Sequence, residues 1–256
     1  MGYSGIRTML RDRKNRESLY CTAEYWDSKA DECQGSSVSM WHNNHLNSLY
    51  HREILDVLGR HLPNVDGSRI LDAGCGTGRI SRHLATLGAE VHGIDFSMKT
   101  IAIAASASHG VNPEYRVLSV FDITDELTYD YVVSWGTITL ACTNRSELLD
   151  VLTRLHRSLK PQGKMLLMEP VHKGFLHRVL NIDVKEFCKI TSEAKFEINN
   201  ITHLHFWPMR LVLAYIDWPR FITVSGYYAG EWILRLIRHK AFGDYVAILA
   251  TPERKE

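Results

Sequence analysis

Leu71-Asp72-Ala73-Gly74-Cys75-Gly76-Thr77-Gly78 (LDAGCGTG) is the stretch on which the reading of this chain turns. An apolar run over 69–73 enters three glycines spaced two apart, and residues 79–87 then carry a helical pattern. Glycines there allow positive φ and let a ligand come close to the main chain. The free N–H groups at the start of the following helix suit a carboxylate or phosphate. A second apolar run, 90–94, ends at Asp95, 17 residues past Gly78. A carboxylate at that place is set to accept from both hydroxyls of a ribose. The spacing G-x-G-x-G departs from the G-x-G-x-x-G of dinucleotide sites, and no Lys follows Gly78 as a phosphate-binding loop requires.

Outward from this turn, short apolar runs alternate with amphipathic stretches, the pattern of strand–helix units around a parallel sheet. Further strands are expected at 115–120, 131–134, 164–168, 196–206 and 245–250. Ser97 is placed to cap an Ala-rich helix, and Ser146 to cap a helix whose Leu148, Leu149, Leu152, Leu155 and Leu159 recur at helical spacing. The expectation is an α/β, Rossmann-like doubly wound sheet of about seven strands, mostly parallel with an antiparallel last strand. Residues 1–66 read as an N-terminal arm and helical cap, and 67–256 as the main domain. Residues 207–243 form an insertion before the last strand, rich in aromatics (Trp207, Trp218, Phe221, Tyr227, Tyr228, Trp232). So long a connection is expected to be a lid, a pocket wall or a subunit contact.

Composition narrows the partners. Of 256 residues, 30 are Lys or Arg and 29 Asp or Glu, so no net field draws the molecule onto nucleic acid. Arg7, Arg11, Arg13, Lys14 and Arg16 read as a solvated basic arm. No apolar run approaches the roughly 18–20 residues of a membrane-spanning helix. Cys21, Cys33, Cys75, Cys142 and Cys188 are odd in number and form no Cys-x-x-Cys pair, which points to a reducing, cytoplasmic setting rather than a disulfide framework. His42, His45 and His51 lack the i,i+4 spacing of a metal pair, and no metal is expected.

With these residues in view, the segment from Ile70 to Glu169 resembles the class I S-adenosylmethionine-dependent methyltransferases. The glycine turn matches the family's first motif, and GIDFS (Gly93 to Ser97) its second-strand acid. The resemblance implies S-adenosylmethionine as cofactor and S-adenosylhomocysteine as product. It implies that Asp72, Gly74, Gly76 and Gly78 pack on the methionyl part, that Asp95 holds the ribose, and that Phe96 lies beside the adenine. VFDI (Val120 to Ile123) puts Asp122 at the adenine amine and the Ile123 backbone at the ring. DYVVSWG (Asp130 to Gly136) matches the fourth-strand motif, bringing Ser134 under the methionyl group. EYWD (Glu24 to Asp27) resembles the aromatic cover of small-molecule members, so Tyr25 or Trp26 is expected over the methyl site, and Arg52 near the methionyl carboxylate.

The chemistry of such a site is in-line displacement at a methyl carbon, helped by positioning and exclusion of water. Where a base is needed, His172 and His177, just after the fifth strand, are the candidates. Position 134–137 reads Ser-Trp-Gly-Thr, which lacks the motif of DNA amino-methyltransferases and the paired glutamates of protein arginine methyltransferases. The acceptor is therefore expected to be a small, partly apolar organic molecule, and a homo-oligomer stays open. Two other readings remain: a cofactor-binding protein without methyl transfer, and a nicotinamide-dependent dehydrogenase.

Overall fold

The computed structural model describes residues 11–32, 41, 43–237 and 242–253. Helix α1 (Ala23–Glu32) and helix α2 (Asn44–His61) precede β1 (Arg69–Ala73), α3 (Arg79–Thr86), β2 (Glu90–Asp95), α4 (Met98–Ser106) and β3 (Glu114–Val117). Then come β4 (Tyr129–Trp135), α5 (Ile138–Ala141), α6 (Arg145–Ser158), β5 (Leu159–Glu169) and α7 (Val184–Glu193). The chain continues through β6 (Phe196–Phe206), α8 (Trp207–Leu213) and α9 (Arg220–Ile237) to β7 (Gly243–Pro252). The seven strands form one sheet in the order β3-β2-β1-β4-β5-β7-β6, and β7 alone runs antiparallel to its two neighbours. The strand order reverses between β1 and β4, which leaves a crevice beyond their carboxyl ends.

The sheet is covered on both faces because successive side chains of its strands point to opposite sides. Leu71, Val132 and Leu167 face one core, with Leu148, Leu152, Leu155, Phe187 and Ile190 from α6 and α7. Their chain neighbours Ile70, Val133 and Leu166 face the other core, with Tyr50, Ile54, Val57 and Leu58 from α2 and Leu84 from α3. Each fully buried Leu among them stabilises the fold by about 2 kcal/mol. Asn43 caps α2 by accepting from Leu46 N at 3.1 Å, and Ser97 caps α4 through Thr100 N at 3.2 Å, as its sequence position predicts.

Three expectations are corrected. The cap of α6 is Asn144, not Ser146: Asn144 Oδ1 accepts from Glu147 N at 3.0 Å, and Glu147 returns a carboxylate oxygen to Thr143 N at 2.7 Å. This reciprocal pairing satisfies more free amides than a hydroxyl at 146 would. The third strand stops at Val117, because Ser119 Oγ accepts from Phe121 N and turns Val120–Asp122 into a single 3₁₀ turn. The described residues of the insertion act neither as a lid nor as a pocket wall, since none of them lines the crevice. Helix α9 lies against β6 and α2, burying Tyr227 beside Tyr50 at the far edge of the sheet. An apolar stretch of this length finds its burial next to the strand it leaves, and its other side keeps Phe221, Tyr228, Trp232 and Leu236 exposed.

The basic arm is also less solvated than its charge suggests. Arg13 donates to Tyr215 Oη at 3.0 Å and to the carbonyl of Phe175, and Arg16 Nε donates to the carbonyl of His177 at 2.8 Å. These bonds tie the N-terminal segment across the top of the sheet. Arg7, Cys33 and His42 lie outside the described residues.

Candidate active site

Above the carboxyl ends of β1, β2 and β4 lies a cavity of about 270 Å³. Its floor is the glycine turn. Gly74 has φ +79°, and a Cβ there would stand 2.0 Å from Thr137 Oγ1, so the β1 and β4 turns fit only without a side chain. Gly76 N donates to Asp95 Oδ2 at 3.0 Å, while Ser97 N and Thr100 Oγ1 donate to Oδ1 at 2.9 and 3.2 Å. Asp95 thus clamps the first turn to the second, with lone pairs left for a ligand. Burial raises its pKa above the ordinary carboxylate value.

Asp72 sits one layer below, buried, with Oδ2 accepting from Ser81 Oγ at 2.6 Å. Burial pushes its carboxyl up to about 7. An acid whose folded pKa is raised binds its proton more tightly in the native state, so its contribution is full at low pH and is lost as pH rises from about 4 to about 7. Urea denaturation of wild type and Asp72→Asn should therefore diverge between pH 5 and pH 8, with the variant gaining about 2 kcal/mol on wild type. Parallel stability profiles would remove the charge argument.

Of the residues the sequence singles out, Asp72, Gly74, Gly76, Asp95 and Phe96 line the cavity. Four others do not. Gly78 lies behind the turn, where a Cβ would strike Tyr115 Oη at 2.3 Å, so its smallness serves packing of α3. Asp122 points to solvent and Ile123 is buried in the core; Leu118, Ser119, Val120 and Phe121 form the wall instead. Ser134 is fully buried and donates to Glu169 Oε1 at 3.2 Å. For Asp122 and Ile123 the cause is the 3₁₀ turn, which carries the chain past the cavity before Asp122 is reached.

Glu169, at the end of β5, organises the neighbouring wall. Its Oε1 also accepts from Thr137 N and Ile138 N, and its Oε2 from Thr139 N and Thr139 Oγ1, at 2.9–3.2 Å. A buried carboxylate at the start of α5 holds the Trp135–Thr137 turn against the glycines. Burial raises its pKa, opposed by those donors.

The two candidate bases are displaced from the site. His172 is buried outside the cavity lining, and its Nε2 donates to the carbonyl of Asp244 at 2.9 Å. His177 Nε2 bonds Glu17 Oε1 at 2.6 Å, and its Nδ1 faces the carbonyl of Gly174. Both rings are spent on tying the post-β5 loop to β7 and to the N-terminal segment. What the loop presents to the cavity is the next residue, Arg178, beside Tyr245 of β7. Because β7 runs antiparallel, its first residues share an edge with the last residues of the parallel strands, and this topology is the signal that locates Tyr245.

The cap contributes Tyr20, Cys21, Trp26, Trp41 and Asn47. Tyr25 packs on Tyr20 and Trp26 without reaching the lining, and Arg52 is exposed on α2. Arg79, the first residue of α3, lines the cavity and makes no ion pair among the described residues. Close by, His51 is pushed down to about 4 by burial and by Arg79, His83 and Arg82. The buried Trp135 Nε1 has no hydrogen-bond partner among the described residues. An acceptor-rich, anionic group is what this corner lacks. S-adenosylmethionine fits these residues: a diol for Asp95, an apolar ring for Phe96 and Phe121, and a carboxylate for the Arg79 corner.

The comparisons agree with this geometry. Residues 70–163 match the family model described as a methyltransferase domain. The ubiquinone biosynthesis O-methyltransferase of Xanthomonas euvesicatoria is 37% identical over 107 residues, 40% of this chain and 42% of that protein. The chain spans about half the length of the curated relatives it matches. The magnesium protoporphyrin IX methyltransferase of Synechocystis, solved with its cofactor bound, covers 93% of this chain and 97% of its own, at TM-score 0.61 and 16% identity. The chain solved in complex with the Haloferax volcanii Trm112 methyltransferase activator covers 94% and 98%, at TM-score 0.64 and 15% identity. A glycine turn clamped by a second-strand acid, in a sheet closed by one reversed strand, is the setting in which residues 70–163 match a methyltransferase domain.

Proposed function

We propose that the protein transfers a methyl group from S-adenosylmethionine to a small, partly apolar organic acceptor. The observation that carries this reading is one cavity in which Asp95 and the glycine turn meet an aromatic cover, Trp26 and Trp41. When bound, the cofactor supplies an electrophilic methyl group on a sulfonium. The chain's own part is to hold the nucleoside through Asp95 and Phe96 and to fix the methionyl end beside Gly74 and Arg79. Tyr20, Trp26, Trp41 and Leu140 exclude water around the acceptor. With His172 and His177 engaged elsewhere, catalysis rests on proximity and desolvation.

Residues up to 66 act as the cap in this proposal, and those from 67 onward as the methyltransferase domain. No helix among the described residues is long and apolar enough to cross a membrane. Cys21, Cys75, Cys142 and Cys188 are free thiols, which accords with a cytoplasmic setting. The direct experiment is calorimetry with S-adenosylhomocysteine, followed by transfer of labelled methyl from S-adenosylmethionine to a small-molecule extract. Binding and label in a low-mass product are expected. A protein indifferent to the nucleoside overturns the reading.

The Arg79 corner gives a sharper test. Arg79→Ala should weaken S-adenosylhomocysteine about tenfold, the loss of one charge-assisted pair, and leave 5′-methylthioadenosine, which has no carboxylate, within twofold of wild type. Equal weakening of both ligands would move the carboxylate elsewhere.

A further inference from the structure

Resting on the methyl-transfer reading, we propose that Arg178 is the subsite for a carboxylate carried by an aromatic acceptor. Arg178 is 7% exposed, yet it is one of the lining residues of the cavity, and its guanidinium lies 5.7 Å from the centre of the Trp41 ring and 5.1 Å from that of Tyr245, both on the same lining. Of its five N–H groups, one donates to Tyr245 Oη at 2.9 Å and one to Asp244 Oδ2 at a long 3.4 Å. The others have no partner among the described residues.

The charges behind it do not balance. Asp244 is fully buried and is shared: Arg210 Nε lies 2.9 Å from its Oδ1, and Arg210 is itself 3% exposed. His172 Nε2 stands 3.3 Å from the same oxygen. Two buried guanidinium ions face one carboxylate, leaving an excess of one positive charge at the cavity wall. Other acids near this wall are engaged elsewhere. Asp12 pairs with Arg11, Glu17 with His177, and Glu169 is filled by the donors at α5. An uncompensated charge taken out of water costs several kcal/mol, so a site that keeps one is matched to a ligand that neutralises it. One excess charge matches a carboxylate rather than a phosphate dianion.

Location assigns this anion to the acceptor. Asp95 ends β2, and Arg178 contacts the start of β7, four strand spacings or about 19 Å across the sheet. The donor's nucleoside belongs at the first end, and its own carboxylate has Arg79 beside the glycine turn. Trp41, Tyr245 and Leu140 around Arg178 supply the flat apolar walls that an aromatic acid needs.

The test is calorimetry on the whole chain with S-adenosylhomocysteine present at saturation. The probes are benzoate and 2-naphthoate, their amides, and phenyl phosphate. Wild type is expected to bind at least one acid tenfold more tightly than its amide. Arg178→Met should abolish that preference and leave the affinity for S-adenosylhomocysteine within threefold, with Arg178→Lys intermediate. Should Arg178→Met not fold, the acid–amide comparison on wild type decides by itself. Three results overturn the proposal: no preference for acid over amide, including binding of neither; tighter binding of phenyl phosphate than of both acids; or Arg178→Met that weakens S-adenosylhomocysteine tenfold while keeping the acid preference. Failure of wild type to bind S-adenosylhomocysteine would strike the methyl-transfer reading instead, and the acid–amide comparison run without nucleoside would still report on Arg178.

Discussion

Asp95→Ala should lower the affinity for S-adenosylhomocysteine at least a hundredfold in calorimetry while the protein stays folded. Two effects add. Each hydrogen bond from a ribose hydroxyl to an ionised carboxylate contributes about 1.5–3 kcal/mol, and a diol makes two. The same carboxylate accepts from Gly76 N, Ser97 N and Thr100 Oγ1, so its loss also frees the glycine turn from the end of β2. A hundredfold is about 2.7 kcal/mol, a conservative share of that total. Asp95→Asn keeps one acceptor oxygen and should fall between the two. An Asp95→Ala protein that binds within fivefold of wild type would show that the nucleoside lies elsewhere.

Glu169→Ala is the second large effect, on stability. Five donors converge on this fully buried carboxylate, three of them backbone amides at the start of α5. Removal leaves them unpaired away from water, which costs about 3–5 kcal/mol, or roughly 10 °C in melting temperature for a domain of this size. Glu169→Gln does not rescue it fully. Oε1 and Oε2 both accept from two or more donors, so an amide nitrogen in either place meets N–H or O–H groups head-on. Urea titration of the three proteins reads the order wild type, Gln, Ala. A Glu169→Ala protein within about 1 kcal/mol of wild type would mean that the Trp135–Thr137 wall is held by other contacts.

The residues legible in the chain are those whose work is local. Gly74 and Gly76 are needed because the backbone there takes positive φ, and Asp95 because it ends the strand beside that turn. Asp122 and Ile123 look equivalent in the string, but a 3₁₀ turn set by Ser119 decides which residues of that loop reach the cavity. The histidines mislead for a similar reason. Their position after β5 is right for chemistry, yet Asp244 and Glu17, 72 and 160 residues away in sequence, take up their ring nitrogens. Arg178, one residue on, is left facing the site.

The strand–helix alternation, the glycine turn and the acid that ends β2 are written in the chain itself. Those features follow from side-chain alternation and from backbone conformations that only certain residues adopt, both written within a few positions of one another. Tertiary structure alone decided the acceptor side. Trp41, Arg178 and Tyr245 come from the cap, a loop and the last strand, and meet because β7 reverses direction and α2 packs Trp41 on Tyr50. Which aromatic covers the cleft and which charge is left over are sums over distant parts of the chain, and no local pattern carries them.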